Sequence, residues 1–294
     1  MIDLYISTAK TKEGSILSKL GFLYIEVFFN NISSNKRHFM QVDTGANMSI
    51  IYYDKLKLID LNRDESNISL CDVNAEKKEF KSIETAIKFS IEGKYTVRRF
   101  FIEEDVSENE DVISDFEFSN NVVGSIGMDL IQKKLTLDFK NQQIYIDTSP
   151  PTKYLKKLSE NKLFYTHLKI PFIKVYLKSL NKEIMVLFDS AASTFDFIAS
   201  KAIYTFYELE KEKNYNVSRI DKMLNIYRKF IEEELILNKE SKVNYIIKNI
   251  STVKDDYLEK IFKEHNFNGI ISSNFFENEI VEIDFENSFF KVFG

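Results

Sequence analysis

Two aspartates stand at the ends of apolar, β-rich segments that resemble each other. HFMQVDTGANMSII leads into Asp43, and EIMVLFDSAASTFDFI leads into Asp189. Two carboxyl groups held roughly 3 Å apart cannot both ionise, so they share one proton and titrate as a pair. The ionised partner can take a proton from water while the protonated partner donates one to a carbonyl oxygen. Such a pair could hydrolyse a peptide bond without a metal ion or a serine or cysteine nucleophile.

The residues after each aspartate suit a junction between two tight turns. A hydroxyl residue comes first, and its side chain can hydrogen-bond across the junction. Small residues come next, so the two turns can meet face to face and offer backbone N–H groups to the carboxylates. The predicted turn residues are Thr44, Gly45, Ala46, Ser190, Ala191 and Ala192.

The surroundings of the two aspartates recur, which indicates a duplicated chain. VVGSIGMDLIQKKLTLDFKNQQIYI follows the first aspartate, and FNGIISSNFFENEIVEIDFENSFFKVF follows the second. The two aspartates are 146 residues apart, and so are Asp138 and Asp284 of the two later Asp-Phe pairs. Gly124 and Gly269 follow their aspartates by 81 and 80 residues. Three landmarks in the same order predict two equivalent halves.

The boundary between the halves is predicted at Pro150-Pro151, because a double proline stops regular structure and suits a linker. The two lobes are then about 1–149 and 152–294. Each half is long enough to bury a hydrophobic core.

Both lobes are predicted to be mainly β. GFLYIEVFFNN and KRHFMQVD form a hairpin, and KIPFIKVYLKSLNKEIMVLFD forms a hairpin that ends at Asp189. AIKFSIEGKYTVRRFFI alternates apolar and polar residues around the turn dipeptide Glu92-Gly93. SLCDVNAEKKEFKSI suits a projecting hairpin, with a plain surface loop as the alternative. The 26 Phe and 15 Tyr residues suit strand-rich cores.

The second lobe is predicted to diverge from the first between about 201 and 263. Apolar residues recur at spacings of three and four in IDKMLNIYRKFIEEELIL and DDYLEKIFKEH, which is typical of helices. We therefore predict a helical insert whose charges form a solvated face.

Composition excludes several classes of protein. The net charge of −5 and the mixing of basic with acidic residues argue against a nucleic-acid binder. No stretch approaches the roughly 18 apolar residues of a membrane span. The single cysteine, Cys71, excludes an intramolecular disulfide, and the opening MIDLYISTAKTKEGS lacks the apolar core of a signal peptide. These features favour a cytoplasmic protein.

The histidines do not predict a metal site. His38, His167 and His265 are far apart, and none has metal-ligand spacing to a cysteine or another histidine. We expect neither a metal ion nor another cofactor.

The motif Asp43-Thr44-Gly45-Ala46, followed by VVGSIGMDLI, resembles the signature of the retropepsin-like and pepsin-like aspartic proteases. The resemblance covers nearly the whole chain. It implies a two-lobed fold of β-barrel lobes with Asp43 and Asp189 as the catalytic pair, complete in one chain. It also implies a strand beneath the site, to which we assign Val123, Gly124, Ile126, Gly269 and Ile271. A family flap maps to about Leu70–Phe80, with its tip at Asp72, Val73, Asn74 and Ala75.

The second half departs from the family pattern. Ala191 stands where the family has glycine, and Asn268 of Phe267-Asn268-Gly269 occupies an apolar position. The flap segment lacks the tyrosine of pepsin-like flaps. A methyl group at the crowded junction could push the lobes apart. Such a displacement would matter because catalytic geometry must hold within about 0.5 Å.

Three functions are compatible with these features. The expected one is an aspartic endopeptidase that binds an extended protein or peptide substrate, with specificity set by apolar pockets. The alternative is an inactive pseudo-peptidase that acts as a peptide-binding or scaffolding module. A β-rich structural protein with coincidental aspartates is a third reading, against which the repeat spacing argues.

Overall fold

A computed structural model describes residues 1–30, 36–59, 66–71, 77–90, 93–103, 111–148, 156–166, 169–192, 194–207, 212–219, 222–238, 240–241, 243–253 and 256–294. Within these ranges, no helix has the length and apolar character needed to cross a membrane.

The described part of the first half forms eleven strands. Their bounds are β1 Ile2–Thr11, β2 Ile16–Phe29, β3 His38–Val42, β4 Ile50–Tyr52, β5 Ser66–Cys71, β6 Lys77–Lys88, β7 Thr96–Glu103, β8 Val112–Ser114, β9 Val122–Ile126, β10 Lys134–Asp138 and β11 Gln143–Ile146. Short 3-10 helices lie at Tyr53–Lys55, Ser119–Asn121 and Met128–Leu130.

The described part of the second half forms eleven strands and two helices. The strands are β12 Lys157–Lys162, β13 Phe164–Tyr165, β14 Pro171–Leu177, β15 Lys182–Asp189, β16 Phe197–Ala199, β17 Glu212–Arg219, β18 Lys222–Ile236, β19 Asn244–Val253, β20 Gly269–Ser272, β21 Ile280–Asp284 and β22 Phe289–Phe293. The helices are α1 Lys201–Phe206 and α2 Tyr257–Glu264, with a 3-10 helix at Ser273–Phe276.

The two halves join through antiparallel pairing of β10 with β21. Thr136 lies opposite Glu282 in this pair, and Asp138 lies opposite Ile280. Thr136 and Glu282 are 146 residues apart, so the two-fold relation between the halves passes through this point of the sheet. The largest buried cluster contains side chains from both halves, including Ile144 and Phe290. The junction is therefore part of a shared hydrophobic core.

Strand pairing repeats throughout each lobe. In the first half the order is β2-β3-β9-β4-β7-β6-β5, and in the second it is β14-β15-β20-β16-β19-β18-β17. A further pairing of β2 with β6 is matched by one of β14 with β18. The parallel pairs β3–β9 and β4–β7 likewise match β15–β20 and β16–β19. The mainly β, two-lobed fold predicted from the sequence is confirmed.

The prediction of a helical insert over about 201–263 is largely wrong. α2 confirms the helix in DDYLEKIFKEH, but IDKMLNIYRKFIEEELIL forms β18, which pairs with β17 on one side and β19 on the other. A β-bulge interrupts β18 between Phe230 and Glu233. Buried positions alternate through Ile226 and Arg228 and resume one residue out of phase at Glu233. Before the bulge, apolar residues lie on both faces of β18, since Ile226 is buried while Tyr227 and Phe230 keep exposed surface, and together they have the spacing of three and four that indicates a helix.

The same region corresponds to the first-lobe segment that contains the flap candidate. β5 begins 146 residues before β17, and both are the outermost strand of their sheet path. β5 and β6 pair antiparallel, with Cys71 opposite Lys77, so a hairpin is present where one was predicted. Its proposed tip residues Asp72, Val73, Asn74 and Ala75 lie outside the described residues.

The other predicted hairpins are confirmed. β2 pairs with β3, β6 with β7 and β14 with β15, all antiparallel. Pro150-Pro151 and residue 92 of the Glu92-Gly93 turn lie outside the described residues.

Candidate active site

Each aspartate lies where a central strand of its lobe ends. β3 ends at Val42, and the backbone N–H of Asp43 donates to the Ile126 carbonyl of β9 at 3.0 Å. β15 ends at Asp189, which lies opposite Ser272 of β20 in a parallel pair. The apolar approach to each aspartate forms the buried strand, so the sequence pattern itself places the carboxyl group at the strand end.

The two turns are joined by four reciprocal hydrogen bonds between the lobes. The Thr44 hydroxyl accepts from the Ser190 N–H at 2.9 Å and donates to the Phe188 carbonyl at 3.0 Å. The Ser190 hydroxyl accepts from the Thr44 N–H at 3.1 Å and donates to the Val42 carbonyl at 2.8 Å. Both side chains are fully buried. The predicted cross-junction role of these hydroxyls therefore agrees with the structure, and the bonds fix the two strand ends against each other.

Each carboxylate is also held by its own turn. Asp43 Oδ1 accepts from the N–H groups of Gly45 and Ala46, both at 2.9 Å. Asp189 Oδ1 accepts from Ala191 at 2.8 Å and Ala192 at 3.2 Å. Six predicted turn residues thus meet at one site. Both aspartates keep some solvent-accessible surface.

The two carboxyl groups are within hydrogen-bonding reach of each other, and both resist ionisation. Burial and, secondly, the neighbouring Asp189 charge raise the pKa of Asp43 to about 8. Burial also raises the pKa of Asp189, while the N–H groups of Ala191 and Ala192 oppose that rise by stabilising its ionised form. One proton shared between two adjacent carboxyl groups accounts for both directions.

The contact between the turns leaves no room for a side chain at Gly45. A Cβ atom there would lie 2.4 Å from Asp189 Oδ2 and 2.5 Å from Asp189 Cγ. Ala191 occupies the equivalent position of the other turn, yet its N–H still binds its own aspartate. The junction is therefore compatible with one methyl group on the second turn.

The strands beside the aspartates contain the residues predicted to lie beneath the site. Val123, Ile126 and Ile271 are buried in the core. Gly124 passes close to the backbone of β4, and Gly269 passes close to that of β16. A Cβ atom at Gly124 would lie 2.0 Å from the Ile50 carbonyl oxygen, and one at Gly269 would lie 2.5 Å from the Ile198 carbonyl oxygen. These glycines allow the strands to pack at that distance.

The polar departure at Asn268 is accommodated by hydrogen bonds. Asn268 Oδ1 accepts from the Met185 N–H at 3.2 Å, and the Asn268 N–H donates to the Met185 carbonyl at 2.7 Å. The asparagine therefore binds β15, the strand that carries Asp189, instead of loosening it.

Sequence reasoning missed the residues that support the turns from behind. In the first lobe the Ser49 hydroxyl donates to Asp129 Oδ1 at 2.6 Å and accepts from the Gly127 N–H at 2.9 Å. In the second lobe Arg228, only 2% exposed, donates to the Thr194 carbonyl at 2.7 Å. Its guanidinium lies 4.5 Å from the centre of the Phe195 ring. The helical spacing of IDKMLNIYRKFIEEELIL predicts a solvated position for Arg228, whereas the structure buries its side chain.

No group of three or more His, Cys, Asp or Glu side chains suited to a metal ion occurs in the part of the chain that the structure describes. His167 lies outside that part.

Comparisons with known proteins give matches in structure and none in sequence. No family model and no curated protein sequence matches the chain. Among solved structures, it is similar to conglutin gamma, a basic 7S globulin from lupine seeds, with 9% identity and a TM-score of 0.48. It is also similar to the basic 7S globulin from soybean, with 8% identity and a TM-score of 0.47. Each match covers 100% of this chain and 95% of the other.

Proposed function

We propose that this protein is an aspartic endopeptidase that hydrolyses peptide bonds with Asp43 and Asp189. The observation that carries the proposal is the pair of carboxyl groups within hydrogen-bonding reach, delivered by two turns that grip each other through Thr44 and Ser190. A structural role alone does not call for two adjacent, half-buried acids that repel each other when ionised, because such a pair costs stability.

The chemistry follows from a pair that holds one proton. The ionised carboxylate takes a proton from a water molecule, and the water oxygen attacks the peptide carbonyl carbon. The protonated carboxyl group donates its proton to the carbonyl oxygen, which becomes a hydroxyl of the tetrahedral intermediate. Collapse of that intermediate breaks the C–N bond. The leaving amine takes the proton that the first carboxylate accepted from water, and one hydroxyl of the intermediate returns a proton to the second carboxylate, so the pair again holds one proton. The backbone N–H groups of each turn hold the carboxylates in place throughout.

The resemblance to pepsin-like proteases supports this proposal at the finer level. The Asp-Thr-Gly turn, the glycine-containing neighbouring strand and the duplicated lobes occur together in this chain. On this basis the substrate is an extended protein or peptide, and one chain carries a complete site. A cytoplasmic location remains the expectation from the sequence.

Ala191 favours a second candidate function, a pseudo-peptidase that binds peptides without cleaving them. The residue adds a methyl group to a junction where the opposite turn has no room for one. If this methyl prevents the pair from reaching its working geometry, the cleft would still bind an extended chain.

Cleavage of an unstructured protein such as casein, measured from acid to neutral pH, tests the proposal. We expect Asp43→Asn and Asp189→Asn each to abolish cleavage, because neither variant can share a proton between two carboxylates. Asp54→Asn is a matched control, since Asp54 lies on the surface next to Lys55. Cleavage that survives both active-site substitutions would refute the assignment. Binding of a statine-type inhibitor without cleavage by the wild-type protein would favour the pseudo-peptidase.

A further inference from the structure

A hairpin of the N-terminal lobe reaches the C-terminal half of the site. The hairpin consists of β1 and β2, and its residues Leu17 and Ser18 both contact the other lobe. Leu17 packs against a buried cluster that includes Phe195, and Ala192 of the second turn packs against the same cluster. The Ser18 hydroxyl, in a side chain only 7% exposed, donates to Asn274 Oδ1.

Asn274 passes this contact on to the segment that leaves the second catalytic turn. Its side-chain amide donates to Asp196 Oδ1 at 3.1 Å, and its backbone N–H donates to Ser272 Oγ at 3.2 Å. The other oxygen of Asp196 accepts from the N–H groups of Lys248 at 2.9 Å and Asn249 at 3.2 Å. Both oxygens of this buried carboxylate are therefore fixed.

The bonded residues lie on both sides of Asp189. Ser272 is the direct neighbour of Asp189 in the parallel pairing of β15 with β20. The Ser272 N–H donates to the Asp196 carbonyl at 3.3 Å. This bond connects the end of β20 to the segment that follows the second turn. Movement of Asn274 would therefore shift Ser272 and Asp196, and with them the strand end and turn that hold the Asp189 carboxylate.

Among the described residues, the equivalent bonds behind the first turn join Ser49, Asp129, Gly127, Met128 and Ala46, all of the first lobe. Ser49 joins Asp129 and Gly127, and Met128 donates its N–H to the Ala46 carbonyl at 2.9 Å. Asp129 and Asn274 occupy the same place in the repeat, five residues after Gly124 and Gly269. At this place the first lobe has a carboxylate bonded within the lobe, and the second has an amide bonded to the other lobe.

We propose that Ser18 and Asn274 are positioning residues of the second half-site, which make the placement of Asp189 depend on docking of the β1–β2 hairpin. This proposal rests on the proposed function for its kinetic consequences. A displacement of about 1 Å in a catalytic group can cost roughly 100-fold in rate, so loss of one bond in this path has a measurable effect. The effect falls on kcat, because an extended substrate binds along the cleft while the transition state needs both carboxyl groups.

The test compares Ser18→Ala with Ser18→Thr and with Lys19→Ala. We expect Ser18→Ala to lower kcat about tenfold with KM changed less than about twofold, which is the rate effect of about 1.4 kcal/mol. Ser18→Thr keeps the hydroxyl and restores kcat. Lys19 is the matched control because it also bridges the lobes, to Glu277 at 3.3 Å, but through an exposed ion pair of little energetic weight.

A stronger variant is Asn274→Asp, which keeps the shape of the side chain. It replaces the amide that binds Asp196 with a second carboxylate, so like charges face each other and kcat falls further than in Ser18→Ala. Wild-type kcat in both Ser18→Ala and Asn274→Asp would overturn the proposal. An equal loss in Lys19→Ala would also overturn the roles of Ser18 and Asn274, because any weakening of the hairpin contact would then act as strongly as the loss of their hydrogen bond.

Amide hydrogen exchange provides a readout that does not need catalysis. We expect Ser18→Ala to accelerate exchange at the Ala191 N–H, which binds Asp189, about tenfold and to leave the Gly45 N–H, which binds Asp43, unchanged. Faster exchange at Ala191 in a protein that cleaves nothing would retain the positioning role and reject the peptidase. Unchanged exchange at Ala191 would reject the positioning role, whether or not the wild-type protein cleaves peptides.

Discussion

The two turns that carry Asp43 and Asp189 make the same hydrogen bonds to each other, but the residues that support each turn differ. Thr44 and Ser190 make the same two cross-lobe bonds in opposite directions. Around them, the first turn has a bare glycine at Gly45 and support from its own lobe. The second turn has Ala191 and support from Arg228 and Asn274. Duplication preserved the groups that hold the two strand ends together, while the groups behind each turn diverged.

This difference suggests that the two lobes are not interchangeable at the level of single residues. A substitution in one half and its counterpart in the other half should agree where the structure is symmetric and disagree where it is not.

Gly45→Ala and Ala191→Gly should have opposite consequences. The new methyl at position 45 would lie 2.4 Å from Asp189 Oδ2, so the carboxylate must move by an amount on the order of 1 Å. We expect kcat/KM to fall by about 100-fold or more. Ala191→Gly removes a methyl and adds backbone freedom, so activity stays within a few-fold of wild type or rises, and the free energy of unfolding falls by about 0.5–1 kcal/mol. Equal losses of activity in the two variants would show that the junction is symmetric after all.

Thr44→Val and Ser190→Ala should, in contrast, have similar effects. Each removes a fully buried hydroxyl that makes one donated and one accepted bond across the lobes. We expect each to lower the free energy of unfolding by about 2 kcal/mol, because buried backbone groups lose their partners. The bonds share one junction, so the double variant should lose less than the sum of the two.

Denaturant unfolding measures these changes. Thr205→Val is a suitable control, since Thr205 is exposed and its hydroxyl donates to the Lys201 and Ala202 carbonyls within α1. Strict additivity in the double variant would mean that the two hydroxyls act separately and that the junction is not one cooperative unit.

Arg228→Met tests the support that only the second half-site has. The guanidinium bond to the Thr194 carbonyl is buried, and bonds from charged groups are worth roughly 1.5–3 kcal/mol. We expect the free energy of unfolding to fall by about 1.5 kcal/mol and kcat to fall with it. Arg98→Met removes a comparable but solvent-exposed bond, to the Val97 carbonyl at 3.2 Å, and should change neither. Wild-type kcat in Arg228→Met would leave Arg228 with a role in stability alone.

How far the sequence could predict the site depended on whether the signal was local. Asp43, Asp189 and their small neighbours form contiguous motifs, so they were found together with the strands that precede them. Arg228 was missed because apolar residues on both faces of β18 have the spacing of a helix. Ser18 is 256 residues from Asn274, and no sequence spacing indicates that they meet. Contacts between distant strands follow from the tertiary register, which single-sequence patterns do not contain.

The helical insert is a second case in which a local pattern gave the wrong prediction. The repeat indicates strands instead, since β17, β18 and β19 occupy the places of β5, β6 and β7 in the pairing order. Local periodicity favoured a helix, and the duplicated architecture favoured a hairpin. Pairing on both edges of β18 stabilises the strand and outweighs the local preference. In a duplicated chain, the counterpart segment is thus a better guide than the period of a short window.

The carboxyl pair also predicts that the free energy of unfolding changes with pH. The pKa of Asp43 rises from 3.8 to about 8 on folding, so between these values the folded protein keeps a proton that the unfolded chain releases. The folded state then binds more protons, and the free energy of unfolding must fall as pH rises, by at most about 1.4 kcal/mol per pH unit. Denaturant unfolding from pH 4.5 to pH 7.5, about the middle of this window, measures the slope.

Asp43→Asn should flatten this slope, because an amide does not titrate. Asp129→Asn is the control: burial also raises the pKa of Asp129, but this residue lies outside the pair, so the larger part of the slope should remain. The pH slope of Asp189→Asn distinguishes the two causes of the raised Asp43 pKa, which are burial and the Asp189 charge. If the raised pKa arose from burial of Asp43 alone, Asp189→Asn would leave the slope intact. Because the Asp189 charge is the second cause of the rise, we expect Asp189→Asn to lower the pKa of Asp43 and to narrow the window from its alkaline end.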